Sequence, residues 1–184
     1  MRVRSLVVAA ALLTMTADAL RAQRHPQAEA MTARARAALA PLAGLVGTWD
    51  GEARVSIGPN QWLKVNQHEQ VEWHSMGTVL LIRGTGRSAE GTNKGEIVFE
   101  ATAVIWYDQQ QRRPAMRTFV DGNMTDAEIE VKPDTIVWGF PVQGARIRYT
   151  IAFSGGKWHE VGHYVREGAA PVETIDMRLV RKAP

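Results

Sequence analysis

Gly47-Thr48-Trp49-Asp50-Gly51-Glu52-Ala53-Arg54-Val55-Ser56-Ile57 is the stretch that decides the fold. Trp49, Gly51, Ala53, Val55 and Ile57 alternate with Asp50, Glu52, Arg54 and Ser56. Alternation with period two marks a strand that buries one face and wets the other. Gly58-Pro59-Asn60 then reads as a turn. The same rhythm returns over 62–73, 78–83, 97–107, 116–120, 127–131, 135–140, 146–153, 157–165 and 172–182. Short polar turns separate these runs, among them Asp121-Gly122-Asn123, Lys132-Pro133-Asp134 and Ser154-Gly155-Gly156. The Gly-, Ser- and Asn-rich stretch 84–95 reads as a loop. About ten strands without an intervening helix predict an all-β, antiparallel, up-and-down sheet. A sheet of that width would expose two edges unless it closed, so a barrel is expected, with a two-sheet sandwich as the alternative.

Upstream of Gly47 the pattern is different. Residues 28–40 are Ala-rich with Arg34 and Arg36, a good intrinsic helix, and Pro41 stops it. The segment 23–46 is therefore expected to be helical and to lead into a barrel over 47–184, as a plug over one end. Arg2 and Arg4 precede the uncharged apolar run 6–15, and Ala17 and Ala19 give an A-x-A cleavage pattern. Residues 1–22 read as a secretory signal peptide, too short in its apolar part to span a bilayer. The product is expected in the periplasm or outside the cell. No other stretch predicts a membrane span. The chain has no cysteine, which removes disulfides and thiol nucleophiles from consideration.

The formal charge is +3, and cutting after Ala22 removes three positive charges and one negative, leaving +1. Basic and acidic residues are interspersed instead of striped, which gives nucleic-acid binding no support. The oligomeric state is not legible.

The segment Leu45-Val46-Gly47-Thr48-Trp49-Asp50-Gly51-Glu52 resembles the opening of calycin-type barrels, where a short helical turn leads into G-x-W on the first strand. It resembles most closely the start of nitrobindin-like proteins and of uncharacterised bacterial lipocalin-like domains. Glu72-Trp73 onward to Leu81, Trp158-His159-Glu160-Val161-Gly162 and Met177-Arg178-Leu179-Val180-Arg181 resemble the latter domains. The resemblance implies that Trp49 closes one end of the barrel, with Arg181 or Arg178 stacked over its face. For nitrobindin-like proteins it also implies haem held by a late-strand histidine. The corresponding stretch 176–182 has none; His159 and His163 lie one strand earlier.

His159-Glu160-Val161-Gly162-His163 matches H-E-x-x-H literally. On a helix both imidazoles would reach one zinc; on a strand they would lie about 13 Å apart at roughly 3.3 Å per residue. The surrounding Trp158, Val161, Tyr164 and Val165 favour the strand, so no metal is expected. The tryptophans are more informative. An eight- to ten-stranded barrel can hold one small ligand in an apolar lumen. Strand phase, with Trp158 and Trp73 taken as inward, also turns Glu160, Gly162, Tyr164, Glu69 and Val71 inward, with Gly162 leaving space.

Trp73, Trp106, Trp138 and Tyr164 are the expected lining. Arg148 and Glu160 are expected to orient the ligand or to pair with each other. The expected function is an exported binding protein for a small, mostly apolar molecule, without a cofactor. The alternatives are an isomerase or hydrolase of the same fold using Glu160 as acid and base, a haem-binding barrel, and an interaction module whose lumen is filled by its own side chains.

Overall fold

A computed structural model describes residues 26–183; the expected leader at 1–22 lies outside the described residues. Ten strands follow one another as an antiparallel meander: β1 (Gly47–Gly58), β2 (Gln61–His74), β3 (Val79–Ser88), β4 (Ile97–Asp108), β5 (Arg113–Val120), β6 (Asn123–Lys132), β7 (Thr135–Val142), β8 (Ala145–Ser154), β9 (Lys157–Val165) and β10 (Val172–Arg181). Each pairs with its neighbours in sequence, and β1 pairs with β10, so the sheet closes into a barrel. The sandwich alternative is thereby excluded.

Cross-strand register identifies the two faces. Val71, Ile82, Ala103 and Thr118 form one continuous row, and Ile151, Glu160, Met177 and Ala53 form another. Most members of these rows are buried, so this is the inner face. Residues one position away point to solvent.

The N-terminal segment closes one end. Helix α1 (Pro26–Leu39) packs against β4 and β5, and a 3-10 turn over Ala40–Leu45 packs against β6 and β8. The α-helix ends at Leu39, just before Pro41 as expected, and Pro41 sits in the 3-10 turn that follows, whose first residues need no amide donor. Leu39, Leu42 and Leu45 are fully buried in the mouth. Arg36 Nε donates to Met76 O across the β2–β3 connection at 2.6 Å, and Gln109 Nε2 donates to Met31 O at 3.0 Å.

The closing end is latched to the final strand. Trp49 is 1% exposed, donates Nε1–H to Leu45 O at 2.8 Å, and meets Trp158 edge-on with ring centroids 5.7 Å apart. The Arg181 guanidinium lies 4.1 Å from the Trp49 ring centroid and donates to the carbonyls of Val46 and Gly44. Gly47 has φ +137°, a conformation that L side chains rarely adopt, and a Cβ there would sit 2.6 Å from Arg181 Nη1 and push the guanidinium aside.

The main departure from the sequence reading is β3. It continues through Gly84-Thr85-Gly86-Arg87-Ser88, a stretch expected as loop, and pairs with β2 to the end. The glycines do not break the strand; they make room. A Cβ on Gly84 would lie 2.5 Å from Glu69 Oε1, and one on Gly86 would lie 2.8 Å from Gln67 Oε1.

Arg181→Ala should cost about 1 kcal/mol in a urea melt, mainly from the lost cation–π contact of this exposed guanidinium over Trp49. Arg178, which lies on the outer face and pairs with Asp176, should leave the urea midpoint unchanged when replaced by Ala. Equal effects at the two positions would contradict the latch.

Candidate functional site

Four of the six expected site residues face inward: Trp73, Trp138, Glu160 and Tyr164. Trp73 shares its row with Leu80, Ile105 and Met116 near the plugged end. Trp138 and Tyr149 stack at 4.0 Å with an interplanar angle of 13°. Trp138 Nε1–H points at Glu160 Oε1, at 3.3 Å. Tyr164 registers with Ile147, nearer the open end.

The other two residues require correction. Arg148 is exposed and registers with Gly139 and His163 on the outer face. It cannot meet Glu160, because the apolar series Ile147, Tyr149, Ile151 and Phe153 occupies the inner face of β8. Trp106 lies out of phase with the buried Ile105 and registers with Val79 and Ala115 on the outer face of β4, the strand on which α1 packs. A further correction concerns Gly162, whose missing side chain leaves no room for a ligand. The Tyr149 ring and Ile175 already fill that space, each 2.7 Å from where its Cβ would be.

Two inward polar residues matter beyond those expected to line the site. Glu69 is 7% exposed and accepts a hydrogen bond from Gln67 Nε2 at 2.8 Å; Gln67 is itself buried. Both lie in phase with Val71 and Trp73, so strand phase alone points them inward. Their seats over Gly84 and Gly86 were hidden because those glycines read as loop.

The lumen is asymmetric in size and polarity. Toward the open end, several inward positions on β3 to β6 are small: Gly84, Ala101, Ala103, Thr118, Thr125 and Ala127, whereas Leu80, Ile82, Ile105 and Met116 on the same strands are large and buried. Inward positions on β7 to β9 include the rings of Trp138, Phe140, Tyr149 and Tyr164. Ala101, Ala103, Thr125 and Ala127 stay half-buried although they face inward, so the lumen is not packed solid. The closed end, by contrast, is filled by Phe153, Trp158, Leu179 and the plug leucines.

Electrostatics sets this interior apart. Glu69 is pushed up to about 8, first by burial and then by the charge of Glu160, against the opposing hydrogen bond from Gln67. Glu160 is pushed up to about 7 by burial, opposed by the indoles of Trp138 and Trp158. Tyr149 is pushed up to about 12 by burial and by Glu160, so it stays neutral. Trp158 Nε1 lies close enough to favour the Glu160 carboxylate, yet it lacks the geometry of a hydrogen bond and has no other partner.

Glu160 therefore ionises before Glu69. Among the described residues, the inner face offers these carboxyls no basic partner. Arg181 is committed at the closed end, and burial, Gln67 and Glu160 account for the shift of Glu69.

Among the described residues the histidines do not enter the lumen. His159 faces Asp176 at 2.9 Å and His68 faces Asp50 at 2.6 Å, both on the outer wall. His74 lies 3.5 Å from Glu72, and His163 registers with Arg148 and Glu173. The H-E-x-x-H match lies on β9, a strand, so its imidazoles do not converge on one metal. Among the described residues no three His, Asp or Glu side chains converge as a metal site. No inward histidine is present among them to hold a haem iron, so the residues do not fit that group. An open groove of about 450 Å³ on the outer wall is lined by Asp50, Asn66, His68, Thr85 and Arg87 among others. Its Asp50 is already engaged by Lys182 and His68, which hold it below the usual carboxylate range.

No family model matches this chain, and no curated protein matches it. Solved structures do. Rv2717c from M. tuberculosis is 13% identical, with a TM-score of 0.59, covering 79% of this chain and 98% of its own. The S-type phycobiliprotein lyase CPES from Guillardia theta is 14% identical, with a TM-score of 0.55, covering 83% and 97%. The fold is a lipocalin-like barrel. At these identities the likeness speaks for the barrel alone.

The raised carboxyls make stability depend on pH in a defined direction. Their folded values lie above 4.5, so the folded state favours the protonated forms. That contribution is complete below about pH 4.5 and is lost as the pH rises through 7 to 8, amounting to roughly 3 kcal/mol for Glu160. Urea midpoints should fall from pH 5 to pH 9, and Glu69→Gln together with Glu160→Gln should flatten the slope. A midpoint that rises over that range would contradict the assignment.

Proposed function

We propose that this protein is an exported binding protein that holds a small, mostly apolar molecule inside the barrel. The observation that carries the reading is the half-buried state of inward Ala101, Ala103, Thr125 and Ala127 on β4 and β6, in the same barrel as the inward Trp138–Tyr149 stack. A barrel meant only as a scaffold would fill that space with its own side chains, as the plugged end does. Export rests on the leader-like pattern of 1–22, and the periplasm is the compartment proposed. The barrel neighbours include a protein named as a phycobiliprotein lyase, which is compatible with a small-molecule ligand here.

The proposed ligand site comprises Trp138, Tyr149, Tyr164, Glu160 and Glu69, with Trp73 forming the floor. A second reading has an observation of its own: Glu160 near neutrality is poised as a general acid or base, which suits an isomerase or hydrolase of the same fold.

The test is binding of the neutral lipophilic probe N-phenyl-1-naphthylamine, read by its emission and by quenching of tryptophan. Saturable one-to-one binding is expected. Ala103→Phe and Ala127→Phe, which fill the lumen, should weaken it at least tenfold, and Arg148→Ala on the outer wall should leave it unchanged. Non-saturable binding, or equal binding by the filled variants, would overturn the proposal.

A further inference from the structure

Resting on that reading, we infer that the ligand is an organic base: an apolar body carrying a protonated nitrogen, held between the carboxyls of Glu69 and Glu160 beside the Trp138–Tyr149 stack. Four observations converge on this chemistry.

The first is a pair of buried carboxyls without a basic partner. Glu69 and Glu160 are 7% and 8% exposed. A buried carboxylate is costly unless something pairs with it. The inner face provides no such cation among the described residues.

The second is the state for which the surroundings are built. Trp138 Nε1–H is directed at Glu160, and Trp158 Nε1–H lies near the same carboxyl without a partner of its own. Trp158 is 2% exposed, so water does not readily serve that donor. Indole N–H groups donate and cannot accept. Two of them beside one carboxyl favour its ionised form, and an ionised form in this wall calls for a positive charge from outside. The unmet Trp158 donor fits a carboxylate that shifts slightly when its cation arrives.

The third is the pair of free acceptor positions. Oε1 of Glu69 takes the Gln67 bond and Oε1 of Glu160 takes the Trp138 bond. The second oxygen of each carboxyl has no protein donor, and neither is sealed away as a buried unpaired atom. Both are therefore available to N–H donors entering from the lumen.

The fourth is the aromatic wall. Trp138 and Tyr149 stack beside Glu160, and Tyr164 lies farther along the same side. Aromatic faces attract cations and also cover an apolar body. An anionic ligand would meet two carboxyls and no basic residue, so it is disfavoured. A neutral apolar ligand would leave the carboxyls unexplained.

The experiment compares three naphthalenes of similar size by titration calorimetry at pH 7: 1-naphthylmethylamine, 1-naphthalenemethanol and 1-naphthylacetate. The amine should bind at least tenfold tighter than the alcohol, and the acetate should bind more weakly than either. Glu160→Gln should remove the amine's advantage over the alcohol, and a cooperative urea melt of the variant shows that it is folded. Glu69→Gln should act in the same direction. If the alcohol or the acetate binds as tightly as the amine, the cation assignment fails and the binding barrel stands. If the amine's advantage survives both Gln variants, the assignment to these carboxyls fails. If none of the three binds, the binding reading itself falls and takes this inference with it.

Discussion

Everything in this molecule depends on the first strand finding the last. Until β1 pairs with β10 there is no lumen, only a wide sheet with two exposed edges. The contact that secures this closure is the Arg181 guanidinium, laid over Trp49 and donating to the backbone just before β1. One side chain thus ties the end of the sheet to the plug and to the first strand together. Gly47 is the residue that lets the chain pass beneath it. The plug then seals the end with leucines and leaves the opposite mouth to solvent.

Closure alone would allow a solid core, as found at the plugged end. The middle of the barrel is built otherwise, with half-buried Ala101, Ala103, Thr125 and Ala127 turned inward, rings on β7 and β8, and buried carboxyls on β2 and β9. Such carboxyls lower stability as the pH rises, a cost with no structural return visible in the fold. Natural proteins carry costs of this kind at sites where function requires them. The polar groups on the outer wall contrast with these. Asp50, Asp126 and Asp176 each have a basic partner and are held below the usual carboxylate range.

Much of the architecture was legible because period two is hard to produce by chance over ten successive runs. The failures have definite causes. Residues 84–88 looked like loop because glycine is rare inside strands, whereas here glycine admits the side chains of Glu69 and Gln67 from the neighbouring strand. Arg148 was assigned inward as a partner for Glu160, although Ile147, Tyr149, Ile151 and Phe153 in the opposite phase offered the stronger apolar face. Trp106 reads as lumen lining because it is an aromatic residue on an expected strand, whereas its neighbour Ile105 is the fully buried residue. Glu160 and Tyr164 followed correctly from the phase of Trp158, and the same reasoning from Trp73 points to Glu69. Strand phase was thus the reliable guide, and residue type by itself was not.

The central claim is that two carboxyl groups sit in a lumen whose described walls supply no counter-charge. Carboxyl carbon chemical shifts of Glu69 and Glu160, followed by NMR across pH 3 to 10 in the ligand-free protein, test it most directly. The account predicts that both titrate well above ordinary glutamates, Glu160 near 7 and Glu69 later, near 8. Titration of both in the usual range near 4.5 would mean that water or a protein cation already serves them, and the account would be wrong.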